Sequence, residues 1–172
     1  LRYCCRQEVH PLTFIYRKEE RPVSDIQFYR ARVADFADYL AVERSVMGPP
    51  TYSGITDQDE ARQELAASIV YFITVDGKIA GTIQYEIKSP KHAHISGIVV
   101  RPEFQERGVG HVALHFVLKE LKSVERIDMA VHPHNRRSLR LALNFGFVVE
   151  SWQDNYFGDG EPRLILVRPW GV

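Results

Sequence analysis

Gln105, Gly108 and Gly110 lie in the stretch RPEFQERGVGHVALHF, residues 101–116, where a charged loop gives way to an apolar segment. A helix leaves its first N–H groups without intrahelical acceptors, and those groups carry the positive end of the helix dipole. A loop of small residues at that point lets the backbone close around phosphate oxygens. Gln105, Glu106, Arg107, Gly108, Val109, Gly110 and His111 therefore form a candidate anion-binding segment whose chemistry comes from main-chain donors.

Two well-known phosphate loops fit poorly. A nucleotide P-loop needs Lys followed by Ser or Thr after its second glycine, and this chain has His111-Val112. The dinucleotide fingerprint G-x-G-x-x-A matches Gly108, Gly110 and Ala113, and Asp128 falls twenty residues past Gly108. That fingerprint, however, starts in a tight turn at a strand end. Here the seven residues RPEFQER separate the strand GIVV from Gly108, and Asp128 comes early in its own strand RIDMAV. The bland alternative is a loop in which the glycines only serve a turn.

Gln105-x-x-Gly108-x-Gly110, preceded by an apolar strand and Arg101-Pro102, resembles the acetyl-CoA-binding loop of the GNAT N-acetyltransferase superfamily. The segment AVHPHNRRSLRLALNFGF is similar to the second signature of that family: a strand, Asn135, and a helix ending in Gly146-Phe147. The resemblance covers most of residues 25–168. It implies acetyl-CoA as cosubstrate and direct transfer of the acetyl group to a primary amine. It also implies an oxyanion donor at the Ile98 N–H, where a bulge splays the strand from its parallel neighbour, with Val99 and Val100 pairing with the pantetheine arm. Asn135 and Ser138 join the cofactor-binding set.

Such a transfer poses two problems. An amine of pKa about 10 is neutral roughly once per thousand molecules at pH 7, so a proton acceptor is needed. The thioester carbonyl gains negative charge, so a preplaced donor is needed. Counting back from the glycines, His94 falls where the family's histone acetyltransferases carry a glutamate, and imidazole accepts protons near neutrality. Glu86 on the preceding strand is the competing base, acting through water. The tyrosine that many family members place seven residues after the motif asparagine is Ala142 here. The donor to the leaving thiolate then becomes Tyr156, Ser138, water, or nothing. Ala142 also keeps a second class of function open, a catalytically weak acyl-CoA-binding sensor or interaction module.

The tail DNYFGDGEPRLILVRPW resembles the closing hairpin of ribosomal-protein and other N-terminal acetyltransferases, with Tyr156 and Phe157 where aromatics help form the acceptor groove. An aromatic hairpin packed on the core is the alternative. The acceptor is left as an amine-bearing small molecule or peptide: a protein N-terminus or lysine, a polyamine or amino acid, or an aminoglycoside.

The elements that must hold these residues follow from periodicity. DIQFYRARV alternates as a strand, and DFADYLAVERSVM reads as a helix stopped by Gly48-Pro49-Pro50. TDQDEARQELAAS reads as a second helix with an acidic first turn. IVYFITV and KIAGTIQYEI flank Asp76-Gly77, a tight-hairpin dipeptide. AHISGIVV is the next strand, and from Val109 the apolar positions follow a helical stripe. RIDMAV is a strand, Asn135 caps a helix through RRSLRLALNF, and the tail closes as a hairpin. The expected fold is α/β (α+β): a mixed, mostly antiparallel sheet of about seven strands flanked by about four helices, GNAT-like. Residues 25–172 form one domain behind a leader, 1–24, whose TFIYRKE could add an edge strand or pair across a homodimer.

At 45% hydrophobic and 26% charged residues, the composition is that of a globular protein with one sizeable core. Lys plus Arg equals Asp plus Glu at 22 each, so no net field draws nucleic acid or an acidic membrane, and neither is an expected partner. The longest apolar stretches fall short of the roughly 20 residues of a membrane span, and LRYCCRQEVHPL has no apolar signal core, so a cytoplasmic location is expected. Cys4 and Cys5 are adjacent, close no useful loop, and lie too far from the motif to relay an acetyl group. His92-x-His94, His132-x-His134 and His111 with His115 have ligand spacings but no supporting cysteine or carboxylate cluster, so no metal is expected.

Overall fold

The structure, a computed structural model, describes residues 25–48 and 51–169. The leader strand, the two cysteines, the Pro49-Pro50 stop and residues 170–172 lie outside the described residues. The elements run β1 (Ile26–Arg30), α1 (Phe36–Arg44), α2 (Gln58–Ala67), β2 (Ile69–Val75), β3 (Lys78–Ser89), β4 (His92–Val100), α3 (Val109–Glu120), β5 (Arg126–Val131), α4 (Arg136–Asn144), β6 (Val148–Gln153) and β7 (Arg163–Pro169). They form one seven-stranded sheet in the order β1-β2-β3-β4-β5-β7-β6. Among the described residues, only β4 and β5 pair in parallel. This is the mixed sheet with four α-helices that the periodicity predicts.

Local chemistry sets the boundaries. Asp76 (φ 49°) and Gly77 (φ 77°) take the left-handed conformations of the β2–β3 turn. The Asp57 carboxylate accepts from the Asp59 and Glu60 amides at 2.7 and 3.1 Å and so starts α2. The first helix is shorter than its apolar pattern suggests. It is preceded by a 3₁₀ turn, Val33–Asp35, and beyond Arg44 the amides of Ser45, Val46 and Met47 bond three residues back in a tightened turn.

Two cores flank the sheet. Alternation along β2 decides which residue goes where: Val70 and Phe72 pack with Tyr39 and Leu40 of α1 and Leu65 of α2. Ile73 and Val75 join Ala113, Leu114 and Val117 of α3, with Leu139 and Leu141 of α4 against the same cluster. Each fully buried aliphatic side chain contributes about 1.5–3 kcal/mol.

The sheet has a fault at its centre. The β4–β5 ladder runs only from His92↔Arg126 to Ile95↔Met129. Ser96 is an extra residue, because Ile95 faces Tyr85 while Gly97 faces Gln84. Past it, β4 stays with β3 as far as Val100 and β5 stays with β7 as far as Val131, so the two central strands part into a wedge. The bulge sits at Ser96, two residues before Ile98.

Candidate active site

The wedge opens beside the N-terminus of α3. Gly108 caps that helix with φ 81°, a conformation that costs other residues about 1–2 kcal/mol. Gln105 N–H donates to Pro102 and Val112 N–H to Gly108, at 3.2 and 3.1 Å. The six amides of residues 106–111 between them have no backbone acceptor among the described residues. A Cβ built on Gly110 would meet Leu141 Cδ2 at 3.6 Å and Val100 Cγ2 at 4.0 Å, ordinary contacts, so nothing in the fold itself requires glycine there.

The side chains of this loop are mostly engaged elsewhere. Gln105 Nε2 donates to Val100 O at 2.9 Å, and its Oε1 accepts from Arg137, so it braces the loop. Glu106 holds Arg137 Nη2 at 2.7 Å, Arg107 lies 5.6 Å over the Phe104 ring, Val109 is buried, and the His111 ring sits 4.5 Å from Phe145. What this segment presents is main chain. Along β4, Arg101 N–H donates to Ala80 O at 2.8 Å, so by strand alternation Ile98 and Val100 turn their amides away from β3. Val99 is the exception to the expected set and a correction. Its carbonyl points at β3, where a Cβ on Gly81 would come within 2.0 Å of it, so its backbone belongs to the ladder and not to the wedge.

Below the wedge lies a cavity of about 720 Å³ whose wall includes His94, Glu86, Tyr156, Asn135 and Ser138. The structure thus brings together residues from β3, β4, α4 and the tail. His94 and Asp128 are partners in the parallel register, and His94 Nδ1 meets Asp128 Oδ1 at 2.6 Å. His92 Nε2 meets the other carboxylate oxygen at 2.7 Å. Burial pushes the Asp128 carboxyl up, but the hydrogen bonds from His94 and His92 outweigh it and hold the group below the usual carboxylate range. With Nδ1 committed as donor, His94 keeps Nε2 as its acceptor. Glu86 faces His94 across the β3–β4 ladder but is ion-paired to Lys88. Burial, and then the Asp128 charge, push the Tyr156 phenol up, which keeps it protonated. Asn135 spends its Oδ1 on the Ser138 amide at 3.1 Å as the cap of α4, and Ala142 is buried on the cavity wall. Ser96 Oγ, on the same wall, has no hydrogen-bond partner among the described residues.

The far end of the cavity was not foreseen from the sequence. Glu43, on α1, is 1% exposed. Its Oε2 accepts from the Tyr52 hydroxyl at 2.6 Å and the Ile55 amide at 3.4 Å, while Oε1 has no partner among the described residues. Burial pushes its carboxyl up to about 7 against the pull of those two hydrogen bonds. Glu64 of α2 and Gln84 of β3 stand on the same wall. Buried Arg163 closes this end. It donates to Asp159 Oδ2 at 2.7 Å and to Ser53 Oγ at 3.0 Å, and lies 5.0 Å over the Phe157 ring. Asp128 escaped sequence reasoning because its partners come from a distant strand, and Glu43 because a glutamate on a helix gives no sign that the following loop will bury it. The only local signal was the H-x-H spacing on β4, which placed both imidazoles on one face.

Residues 33–147 match the model of a family described as Acetyltransferase (GNAT) family. A curated relative, the UPF0157 protein YqkA of Bacillus subtilis (strain 168), is 29% identical over 132 residues. That alignment takes in 71% of this chain but 37% of the relative, so the chain spans little more than a third of that protein's length. The solved ribosomal-protein-S18-alanine N-acetyltransferase from Escherichia coli is similar with a TM-score of 0.72 at 19% identity, over 86% of this chain and 96% of that one. A GNAT family acetyltransferase from Elizabethkingia anophelis with acetyl-CoA bound gives 0.64 at 16%, over 84% and 97%. At these identities the likeness is one of fold. The family match runs from the 3₁₀ turn before α1 to Phe147 and contains the wedge, the glycine loop and the His94–Asp128 pair; over that span, well over half of its 172 residues, the chain belongs to the acetyltransferase (GNAT) family.

Proposed function

We propose that the chain is an N-acetyltransferase that moves the acetyl group of acetyl-CoA directly onto a primary amine. The observation that carries this reading is the run of six unengaged amides, residues 106–111, at the head of α3 and beside the parted strands. Those donors, with the helix dipole behind them, suit a diphosphate. The Ile98 and Val100 amides, turned away from β3, suit an extended amide-bearing arm and a developing oxyanion. Bound acetyl-CoA supplies the activated acetyl group as a thioester.

His94 Nε2 takes the proton of the acceptor ammonium, and Asp128 fixes the tautomer that makes this possible. The freed amine forms its bond to the acetyl carbon as the carbon–sulfur bond breaks; the Tyr156 hydroxyl gives its proton to the departing sulfur, the second proton of the attacking nitrogen restores the Tyr156 hydroxyl, and the proton held on His94 passes to solvent. Tyr156 stands where the buried Ala142 cannot serve. Glu86, neutralised by Lys88, is the lesser base.

A thermal shift with CoA against NAD tests the cofactor. Ligand at a hundred times its dissociation constant adds about 2.7 kcal/mol of stability, expected for CoA and not for NAD. Thiol release with acetyl-CoA and an amine panel tests the reaction, and His94→Ala is expected to cut it by about 10²-fold. A CoA shift with no thiol release from any amine would replace the enzyme with an acyl-CoA sensor.

A further inference from the structure

The acceptor end of the cavity holds a carboxyl group that the described residues answer at only one of its two oxygens. Glu43 reaches it from α1, and its Oε1 lacks any partner among the described residues while the rest of the carboxylate is held by Tyr52 and Ile55. A buried carboxylate oxygen without a donor is costly, and such a cost persists where a ligand repays it. The cations on the cavity wall are committed elsewhere: Lys88 to Glu86 and Arg163 to Asp159. The neighbouring Tyr39 hydroxyl is committed to Gln84 Oε1 at 2.7 Å. Glu64 adds a second carboxylate, with one oxygen taken by Ser68 Oγ at 2.6 Å.

We propose that Glu43 Oε1, with Glu64 beside it, holds a second cationic nitrogen of the acceptor, so that the substrates are aliphatic diamines and longer polyamines. The inference rests on the acetyl-transfer reading for the fate of the first nitrogen, which enters beside His94. A monoamine leaves Glu43 unanswered. An amino acid brings its own carboxylate against Glu43 and Glu64 and is repelled. Oε1 is covered in this state by the segment between α1 and α2, which carries Tyr52 and Ser53 and is tied through Ser53 and Arg163 to the β6–β7 turn, so the ligand nitrogen reaches it as that segment yields.

Two measurements on the whole protein test this. In thiol release with acetyl-CoA at pH 8, kcat/KM for diaminobutane is expected to exceed that for butylamine by about ten- to a hundredfold, the range of one charge-assisted hydrogen bond. Glu43→Gln brings that ratio close to one, and Glu64→Gln reduces it in part. Calorimetric titration of diaminobutane into the protein with CoA present is expected to show binding that butylamine lacks and that Glu43→Gln loses. Equal use of the two amines by the wild type, or an unchanged ratio in Glu43→Gln, overturns the diamine site while leaving acetyl transfer standing. Diaminobutane binding without thiol release overturns acetyl transfer and keeps the site. Should Glu43→Gln fail to fold, the wild-type comparison of the two amines decides alone.

Discussion

Asp128 serves two imidazoles at once, and its carboxylate accepts from His94 at one oxygen and from His92 at the other. Asparagine there can turn an amide N–H toward His94 Nδ1, which favours the tautomer whose Nε2 no longer accepts. Asp128→Asn is expected to lower kcat by about 10²-fold while the CoA-induced thermal shift stays unchanged, a split that pre-steady-state and melting measurements resolve. Glu43 makes a different prediction. Its carboxyl goes from an unperturbed value of 4.5 to about 7 in the fold, so the folded chain binds more protons than the unfolded one between those values. Stability therefore falls as pH rises through that window, by up to about 3 kcal/mol, and Glu43→Gln should remove the slope in urea titrations at pH 5 and pH 8. The groups facing Glu43 are Tyr39 on its own helix, Tyr52 from the following segment and Glu64 from α2, and none is a cation. Of these residues only His94 was legible in the sequence, through its distance from the glycines. Asp128 was visible merely as an acid on a strand, since a parallel register set across an intervening helix leaves no local trace.

At the scale of elements, the two glycines of the loop do different work. Gly108 holds a left-handed backbone with empty space around its missing side chain, whereas Gly110 sits in the helix with room for a methyl. Gly108→Ala is expected to cost about 1–2 kcal/mol of stability through strain alone. Gly110→Ala should leave the melting temperature equal or higher, as alanine favours helix by about 1 kcal/mol, yet weaken CoA binding, because the methyl projects toward Val100 and Leu141 at the wedge. Comparing melting curves with CoA titrations separates the two. The strands and helices themselves were readable from alternation, the Asp76-Gly77 turn and the Asn135 cap. The position of the bulge was not, because an unpaired residue in a run such as HISGIVV changes neither its period nor its composition. The backbone direction of Val99 was lost with it.

For the molecule as a whole, the cavity is assembled from both ends of the described chain. Arg163 on β7, 2% exposed, joins Ser53 of the α1–α2 segment to Asp159 of the β6–β7 turn. Arg163→Ala takes one donor each from Asp159 and Ser53, leaving Asp159 the Ser53 hydroxyl and the Glu161 amide, and is expected to cost about 1–3 kcal/mol and to raise the acceptor KM more than that of acetyl-CoA. The strand order was accessible as a class from the sequence, while contacts spanning residues 43 to 163 were not. No helix among the described residues is long and apolar enough to cross a membrane. The parted β4 and β5 carry one last implication. Unsatisfied strand borders normally lie on a protein's rim, where they invite other polypeptides to add on. Here such a border lies in the middle of the sheet, between the β3–β4 and β5–β7 ladders, so a slender extended guest that enters there can complete the interrupted weave.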